Sequence, residues 1–252
     1  MKISRLNSIE QYVISKQTVS IDELCEVFGV SKNTIRRDLN ELENRGHISK
    51  VYGGVTASTS HGSSLPTPIR SNIHSSDKNL IGELASSVVD DCDTIFIDSG
   101  TTAPCILRHL SNKRKITVVT HSLSAITEAS KYENISIIST GGMYNSITNS
   151  FVGLSTYETI SRINIDKAFM SASGVSIDFG MTNSTFLEAE IKRSVVKKAK
   201  NIYLMADKSK IGKNSVISYC YLNELTAFIT DCKPSEEYIE YFRSNKIKLL
   251  YP

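Results

Sequence analysis

Apolar residues recur at helical spacing through the start of the chain. Leu6, Ile9 and Val13 predict an amphipathic helix over residues 4–16. A short β-prone connection, Thr18-Val19, follows. Ile21, Leu24, Cys25 and Phe28 repeat the helical pattern and predict a second helix. Ser20 precedes Glu23 by three, the spacing at which a serine hydroxyl caps the third amide and the glutamate bonds back. Gly29-Val30 breaks this helix. Ser31 is placed to cap a third, with Ile35, Leu39 and Leu42 on its apolar face, and Asn44-Arg45-Gly46 ends it, the glycine supplying a left-handed position. Ile48, Val51, Tyr52 and Val55 then predict a small hairpin around Lys50 and Gly53-Gly54.

The pattern changes abruptly at residues 56–67, TASTSHGSSLPT, where nine of twelve residues are Ser, Thr, Gly or Pro and none is charged. This composition predicts a flexible linker. It divides the chain into a small domain at 1–57, a linker at 58–75 and a larger domain at 76–252. A helix follows, with Leu80, Ile81, Leu84, Ala85, Val88 and Val89 on one side. Beyond residue 90, short apolar runs at 94–97, 116–119, 135–138, 168–170, 202–205 and 227–229 alternate with helical stretches. The clearest helix covers 184–199, and its pattern turns Glu188, Lys192, Lys197 and Lys198 outward. Such alternation predicts an α/β domain with a largely parallel sheet.

Composition narrows the function. Hydrophobic residues make up 40% of the 252, enough for a buried core and against wholesale disorder. The formal charge is only +3, so bulk charge does not announce a nucleic-acid binder. No apolar run approaches the roughly 20 residues of a membrane span, and Met1-Lys2-Ile3-Ser4-Arg5 lacks the apolar stretch of a signal peptide. Five cysteines, odd in number and never spaced C-x-x-C, predict reduced thiols in a cytoplasmic protein rather than disulfides or a metal site. Neither a metal nor a cofactor is expected.

Two constellations carry chemistry. The third helix opens Ser31-Lys32-Asn33-Thr34-Ile35-Arg36-Arg37, with three cations before the first acid. Two helices joined by a tight glycine turn, the second with a polar N-terminal face, fit a helix-turn-helix. Arginine can pair with guanine, asparagine with adenine, and threonine can touch a thymine methyl. With Ile35 and Leu39 facing inward, Lys32, Asn33, Arg36 and Arg37 share the solvent side, and the hairpin carrying Lys50 would be a wing. Operator double-stranded DNA is the expected partner.

The second constellation lies at strand ends. The first strand of the larger domain runs into Asp98-Ser99-Gly100-Thr101-Thr102, a small hydroxyl-rich turn before a helix, which suits phosphate. It lacks both the G-x-G-x-x-G pattern and the Walker lysine, which argues against a nucleotide. Thr120-His121-Ser122 follows the second strand, Gly141-Gly142 the third, and Asp207-Lys208-Ser209-Lys210 another. Lys208 could neutralise a phosphate. Ligands of open α/β sheets gather outside these strand ends, so the pieces predict one common pocket.

The motif residues resemble a known family. Val19 through Leu24, Phe28 through Ser31, Thr34-Ile35-Arg36-Arg37-Asp38-Leu39, Leu42 and Tyr52-Gly53-Gly54-Val55 look like the winged helix of DeoR-type bacterial transcription regulators. The resemblance implies that Lys32, Asn33, Thr34, Arg36 and Arg37 touch DNA. It continues from about Asp77 to Asp231, through the strand-end motifs above, Phe151-Val152-Gly153, Asp166 through Phe169, and Gly180-Met181-Thr182 with Glu188. That part is similar to the DeoR sensor domain. It implies a ribose-phosphate isomerase-like fold and a phosphorylated sugar or sugar-like effector held by the hydroxyl-rich loop, with Asn183 added to the site. His121 stands where the family usually has asparagine. Val27-Phe28, Tyr52 through Thr56, and Asn183-Ser184 give the chain its resemblance to the myo-inositol catabolism repressors.

An isomerase-like fold raises the alternative of an aldose–ketose phosphate isomerase carrying a DNA-binding appendage. That chemistry needs a carboxylate base at the carbon losing its proton. The isomerases resembled here carry an acidic D-G-A-D-E element, where this chain has Met170-Ser171-Ala172-Ser173-Gly174. Glu188 is expected to pair with Lys192 one turn on. Binding without turnover is therefore expected: a repressor whose effector, a phosphorylated sugar or inositol derivative, lowers operator affinity. One small helix-turn-helix has limited contact area, so a homodimer or homotetramer is expected.

Overall fold

The computed structural model describes residues 2–16, 18–44, 48–57 and 67–252. They form two compact units, divided between Leu65 and Pro66. The predicted C-terminal glycine of the third helix, Gly46, and residues 58–66 of the predicted linker lie outside the described residues.

In the first unit, α1 (Lys2–Lys16), β1 (Thr18–Ser20), α2 (Ile21–Phe28) and α3 (Lys32–Asn44) lead to β2 (Ile48–Val51) and β3 (Gly54–Ala57). The predicted apolar stripes converge on one core containing Leu6, Ile9, Val13, Leu24, Ile35, Leu39 and Leu42. Ser20 caps α2, its hydroxyl accepting from the Glu23 amide at 3.1 Å. The guanidinium of Arg5 donates to the buried carboxylate of Asp38 at 2.8 Å, fastening α1 to α3. The three strands pair antiparallel in the order β1-β3-β2. Gly54 lets the hairpin close on β1, since a Cβ there would stand 2.4 Å from the Val19 carbonyl oxygen.

The second unit begins with α4 (Thr67–Asn72) and α5 (Ser75–Ser86). The last part of the predicted linker is thus helical. Its start is anchored, because the amide and hydroxyl of Thr67 both donate to the Ile147 carbonyl, at 2.9 and 3.2 Å. Then come β4 (Thr94–Ile97), a 3-10 helix (Ala103–His109), β5 (Ile116–Thr120), α6 (Leu123–Ala129) and β6 (Ile135–Ser139). A hairpin of β7 (Met143–Asn145) and β8 (Ser150–Val152) precedes α7 (Leu154–Ser161) and β9 (Ile165–Met170). After β10 (Gly174–Ser176) and β11 (Gly180–Asn183) come α8 (Phe186–Lys198), β12 (Ala199–Met205) and β13 (Ile217–Cys220). The chain finishes with β14 (Ala227–Ile229), α9 (Glu236–Ser244) and β15 (Lys248–Leu250).

Seven strands form one sheet in the order β15-β14-β12-β9-β4-β5-β6, and every pairing is parallel. Successive residues alternate between two cores. Ile95 and Ile97 of β4 join α5, α6 and the 3-10 helix, whereas Phe96 joins α7, α8 and α9. The period of two explains why both faces are covered and why the strands read as apolar runs. The chain first builds outward from β4 through β5 to β6, then returns to the other flank of β4 with β9. Loops after β4 and β9 therefore diverge, and their gap is the sheet's topological switch point.

One expectation is corrected. Glu188 and Lys192 of α8 point inward and are buried, while Lys197 and Lys198 are exposed as expected. α8 lies over the switch point, so its charged stripe meets the strand ends.

Candidate functional site

On the first unit, Lys32, Asn33, Arg36 and Arg37 are exposed on one face of α3, opposite the buried Ile35 and Leu39. Ser31 and Thr34 lie beside them but also build the helix start. The Ser31 hydroxyl accepts from the Thr34 amide at 3.3 Å and lies 3.0 Å from the Thr34 hydroxyl. Two of the cations have acidic neighbours. Lys32 pairs with Asp22 at 2.5 Å, and Lys50 pairs with Glu43 at 2.7 Å. The Lys50 ammonium and amide hold the Glu43 carboxyl below its ordinary pKa. No ion pair engages Arg36 or Arg37 among the described residues. Tyr52, one of the residues that carry the family resemblance, stands fully exposed at the tip of the hairpin.

At the switch point of the second unit, Asp98 follows β4 and is completely buried. Its carboxylate accepts from the Ser171 amide at 2.9 Å and pairs with Lys192 at 2.8 Å; His121 Nε2 lies 3.3 Å away. Burial alone would raise the Asp98 pKa, but Lys192 and His121 outweigh it and hold the carboxyl well below the usual range. Lys192 also donates to the Ser171 carbonyl at 2.7 Å, and the Tyr219 hydroxyl donates to the same oxygen at 2.8 Å. Glu188 accepts from Ser99, Asn183 and Thr185 at 3.2, 3.1 and 2.8 Å, so its expected pairing with Lys192 is replaced. Gly100 allows this closeness, since a Cβ there would stand 2.3 Å from that of Ser171.

The other predicted residues divide. Thr120 donates to the Ile97 carbonyl at 2.6 Å and accepts from the Ser122 amide at 3.0 Å; Ser122 caps α6. Together with His121 they are buried support for the strand ends. Thr102 is buried, whereas Thr101 lines an open cleft. Gly141 and Gly142 are exposed, and the Gly141 carbonyl accepts from Thr156 of α7 at 2.7 Å, away from the Asp98 network. Lys208 is exposed beside Asp231, at 3.9 Å.

The structure supplies cations that the sequence reading did not select. Lys210 is half-buried where Lys208 is exposed. Burial lowers its pKa, opposed by Asp207, with Arg70 pushing the same way as burial. Arg70 of α4 is half-buried and faces Glu188 and Asp98 electrostatically. Lys78 of α5 is buried, and that burial, against the pull of Asp207, brings its pKa down to about 8. Burial works against the Asp207 carboxylate, but bonds from Ser209 and the nearby Lys210 and Lys78 hold it low. Lys78 and Thr101 line a cleft of about 360 Å³ between α4, α5, the 3-10 helix and α6. Among the described residues, no buried side-chain nitrogen or oxygen lacks a partner, and no cluster suits a metal ion.

Comparison with known proteins agrees with this division. The DeoR-like helix-turn-helix domain matches residues 5–61, and the DeoR C terminal sensor domain matches residues 73–232. The chain belongs to the DeoR family of transcriptional regulators. This DeoR-family chain is 43% identical over 247 residues to the HTH-type transcriptional regulator IolR of Bacillus subtilis, covering 98% of each. It is 32% identical to the lactose phosphotransferase system repressor of Streptococcus mutans, covering 94% of each. Ribose 5-phosphate isomerase A of Methanocaldococcus jannaschii shares 19% identity over 53% of each chain, with a TM-score of 0.39. Within the family frame, the first unit is the DNA-reading head and the second the sensor. Among the described residues, no helix is long and apolar enough to cross a membrane.

Proposed function

We propose that this regulator represses a sugar or inositol catabolic operon and releases its operator when a phosphorylated, sugar-like effector occupies the switch-point site. The observation that carries the effector class is a surplus of cations. Arg70, Lys78, Lys192 and Lys210 gather around Asp98, Glu188 and Asp207, leaving the cluster positive unless an anion joins it. Four cations against three carboxylates leave a surplus of one positive charge, and a phosphate carrying about −1.5 to −2 charges more than offsets it. Asp98, His121 and Asn183 order the polar wall beside it, and Thr101 opens to the cleft. The likeness to IolR and the inositol-repressor resemblance favour an inositol-derived effector.

The same site argues against turnover. A general base works best with a pKa near the operating pH. Asp98 is held far below that, and Glu188 is occupied by three donors. On the head, Arg36 and Arg37 with Asn33 read the operator, while Lys32, Lys50, Ser31 and Thr34 fix the helix and wing against the backbone. A cytoplasmic homodimer or homotetramer places two or more heads on repeated half-sites. Fluorescence anisotropy on operator DNA, titrated with sugar phosphates and inositol phosphates, tests the reading. Release by a member of this panel is expected; unchanged operator binding across it would sink the proposal.

A further inference from the structure

The cleft between α4, α5, the 3-10 helix and α6 has two chemically different ends. At about 360 Å³ it has room for one small molecule. Thr101 and Lys78 stand at the end nearer the strand termini, where Lys78 lies in the field of Asp207 and Lys210. Arg108 and Glu128 stand at the other. The 3-10 helix that separates Arg108 from Thr101 rises about 2.0 Å per residue, and Glu128 lies one turn beyond Ser124 on α6. Cys105 lies between the ends, in the field of Lys78 and of the Arg108–Glu128 pair alike. With Pro104 it gives the wall an apolar stretch.

Hydrogen-bonding capacity differs in the same sense. Among the described residues, no hydrogen bond engages the Thr101 hydroxyl. The Lys78 ammonium donates to the Arg70 and Ile73 carbonyls, which leaves one of its three donors over. That end donates. At the other, the Glu128 side chain is 14% exposed and only accepts. Its Oε1 lies 3.5 Å from Arg108 Nε and accepts from the Tyr132 hydroxyl at 3.4 Å, while Oε2 accepts from Lys131 at 2.7 Å. Burial works to raise the Glu128 pKa, but Lys131, Arg108 and Tyr132 outweigh it and keep the group ionised. A carboxylate has about four acceptor sites, so Oε2 keeps one open, and Arg108 keeps its terminal N–H groups. A hydroxyl both donates and accepts, so the pair matches it; a phosphate meets the Glu128 charge as repulsion.

We propose that the cleft takes the effector lengthwise, its phosphate at Lys78 and Thr101 and its far hydroxyls between Glu128 and Arg108, which makes these two the specificity-determining residues for a polyhydroxylated phosphate. This rests on the phosphorylated-effector reading above and adds where the unphosphorylated half lies. The stretch at Pro104 and Cys105 suits the C–H face of a sugar or cyclitol ring. A site built to bond a hydroxyl rejects analogues that lack it, because its own polar groups are then left unpaired.

Calorimetric titration of the full-length protein with inorganic phosphate, glucose 6-phosphate, fructose 6-phosphate and inositol monophosphate tests the proposal. The parent is expected to bind at least one polyol phosphate more tightly than inorganic phosphate. Glu128→Gln, which keeps the size and removes the charge, should weaken that polyol phosphate by roughly tenfold, the scale of a hydrogen bond to a charged group. Inorganic phosphate should bind this variant as it binds the parent. Arg108→Gln, at a position whose side chain is largely exposed, should likewise weaken the polyol phosphate. An equal loss for inorganic phosphate in Glu128→Gln would reduce Glu128 to a structural role and overturn the proposal, as would unchanged polyol-phosphate affinity in both variants. A parent that binds all four probes equally would overturn the hydroxyl-reading end and leave the anion site standing. Binding of none of them would sink the effector reading and this proposal together.

Discussion

The two units handle charge in opposite ways. The reading head keeps the cations of α3 and the hairpin exposed, and Lys32 and Lys50 have single acidic partners in Asp22 and Glu43. The sensor draws Asp98, Lys192, His121, Glu188 and Lys78 inside and gives each a fixed set of partners. Exposed pairs are screened and contribute little to stability, so they can exchange a carboxylate for a phosphate at small cost. Buried charges lose much hydration, and an unmatched one is expensive. An adaptable surface therefore suits a DNA backbone, whereas the anionic effector proposed above would meet an interior whose charges already have fixed partners.

Breaking the sensor network gives the largest effect. Asp98→Ala leaves Lys192 buried without its carboxylate and should destabilise the sensor by about 3–5 kcal/mol. Calorimetry should show the sensor transition lowered and that of the reading head unmoved; equal shifts in both would contradict the contrast. Next comes Arg36→Ala, expected to reduce specific operator affinity by about 1–3 kcal/mol. Its melting temperature and effector affinity should match the parent, and unchanged operator selectivity would remove Arg36 from the reading face.

A smaller effect is pH-dependent. Burial pulls the Lys78 pKa from 10.5 to about 8 in the free protein, with Asp207 opposing and Lys210 and Arg70 reinforcing the fall. A phosphate favours the protonated lysine. Binding above pH 8 must therefore take up a proton, and affinity should fall by up to about tenfold per pH unit. Below that value the dependence flattens until phosphate itself protonates near pH 6. Calorimetric titration between pH 7 and 9 measures this, and Lys78→Met should remove the Lys78 contribution. The smallest effect is expected from Glu43→Gln, which frees Lys50 from its acid and should tighten DNA binding a few-fold at most. Weaker binding would mean that Glu43 orients the wing rather than competing with DNA.

The reading head was legible because one periodicity governs it. Leu6, Ile9, Leu24, Ile35 and Leu39 occupy the core that their spacing predicts, and Ser20 caps where its spacing to Glu23 says. In the sensor, doubly covered parallel strands leave continuous apolar runs, so the central strands were legible too. The three-residue strands β7 and β10 carry too short a pattern to announce themselves. Glu188 and Lys192 misled because a charged pair one turn apart ordinarily marks a solvated helix face. Here α8 has an apolar face toward the core and a polar stripe toward Asp98. Arg70 was hidden in a composition that reads as linker. The choice between Lys208 and Lys210 depends on the turn after β12, whose side-chain directions no spacing rule supplies.

The return of the chain from β6 to the far flank of β4 also orders events during synthesis. Ile95 sits in register beside Lys167, so the crevice between them cannot be framed until every residue in between has emerged and been folded away. Long-range parallel pairing closes late, because loop closure precedes its reward. The core of the reading head, by contrast, draws only on residues between Leu6 and Val55, which leave the ribosome before the sensor does. Limited proteolysis of stalled nascent chains should find the head protected before the sensor. For an interval in its life, each molecule has a finished reader and an unfinished sensor.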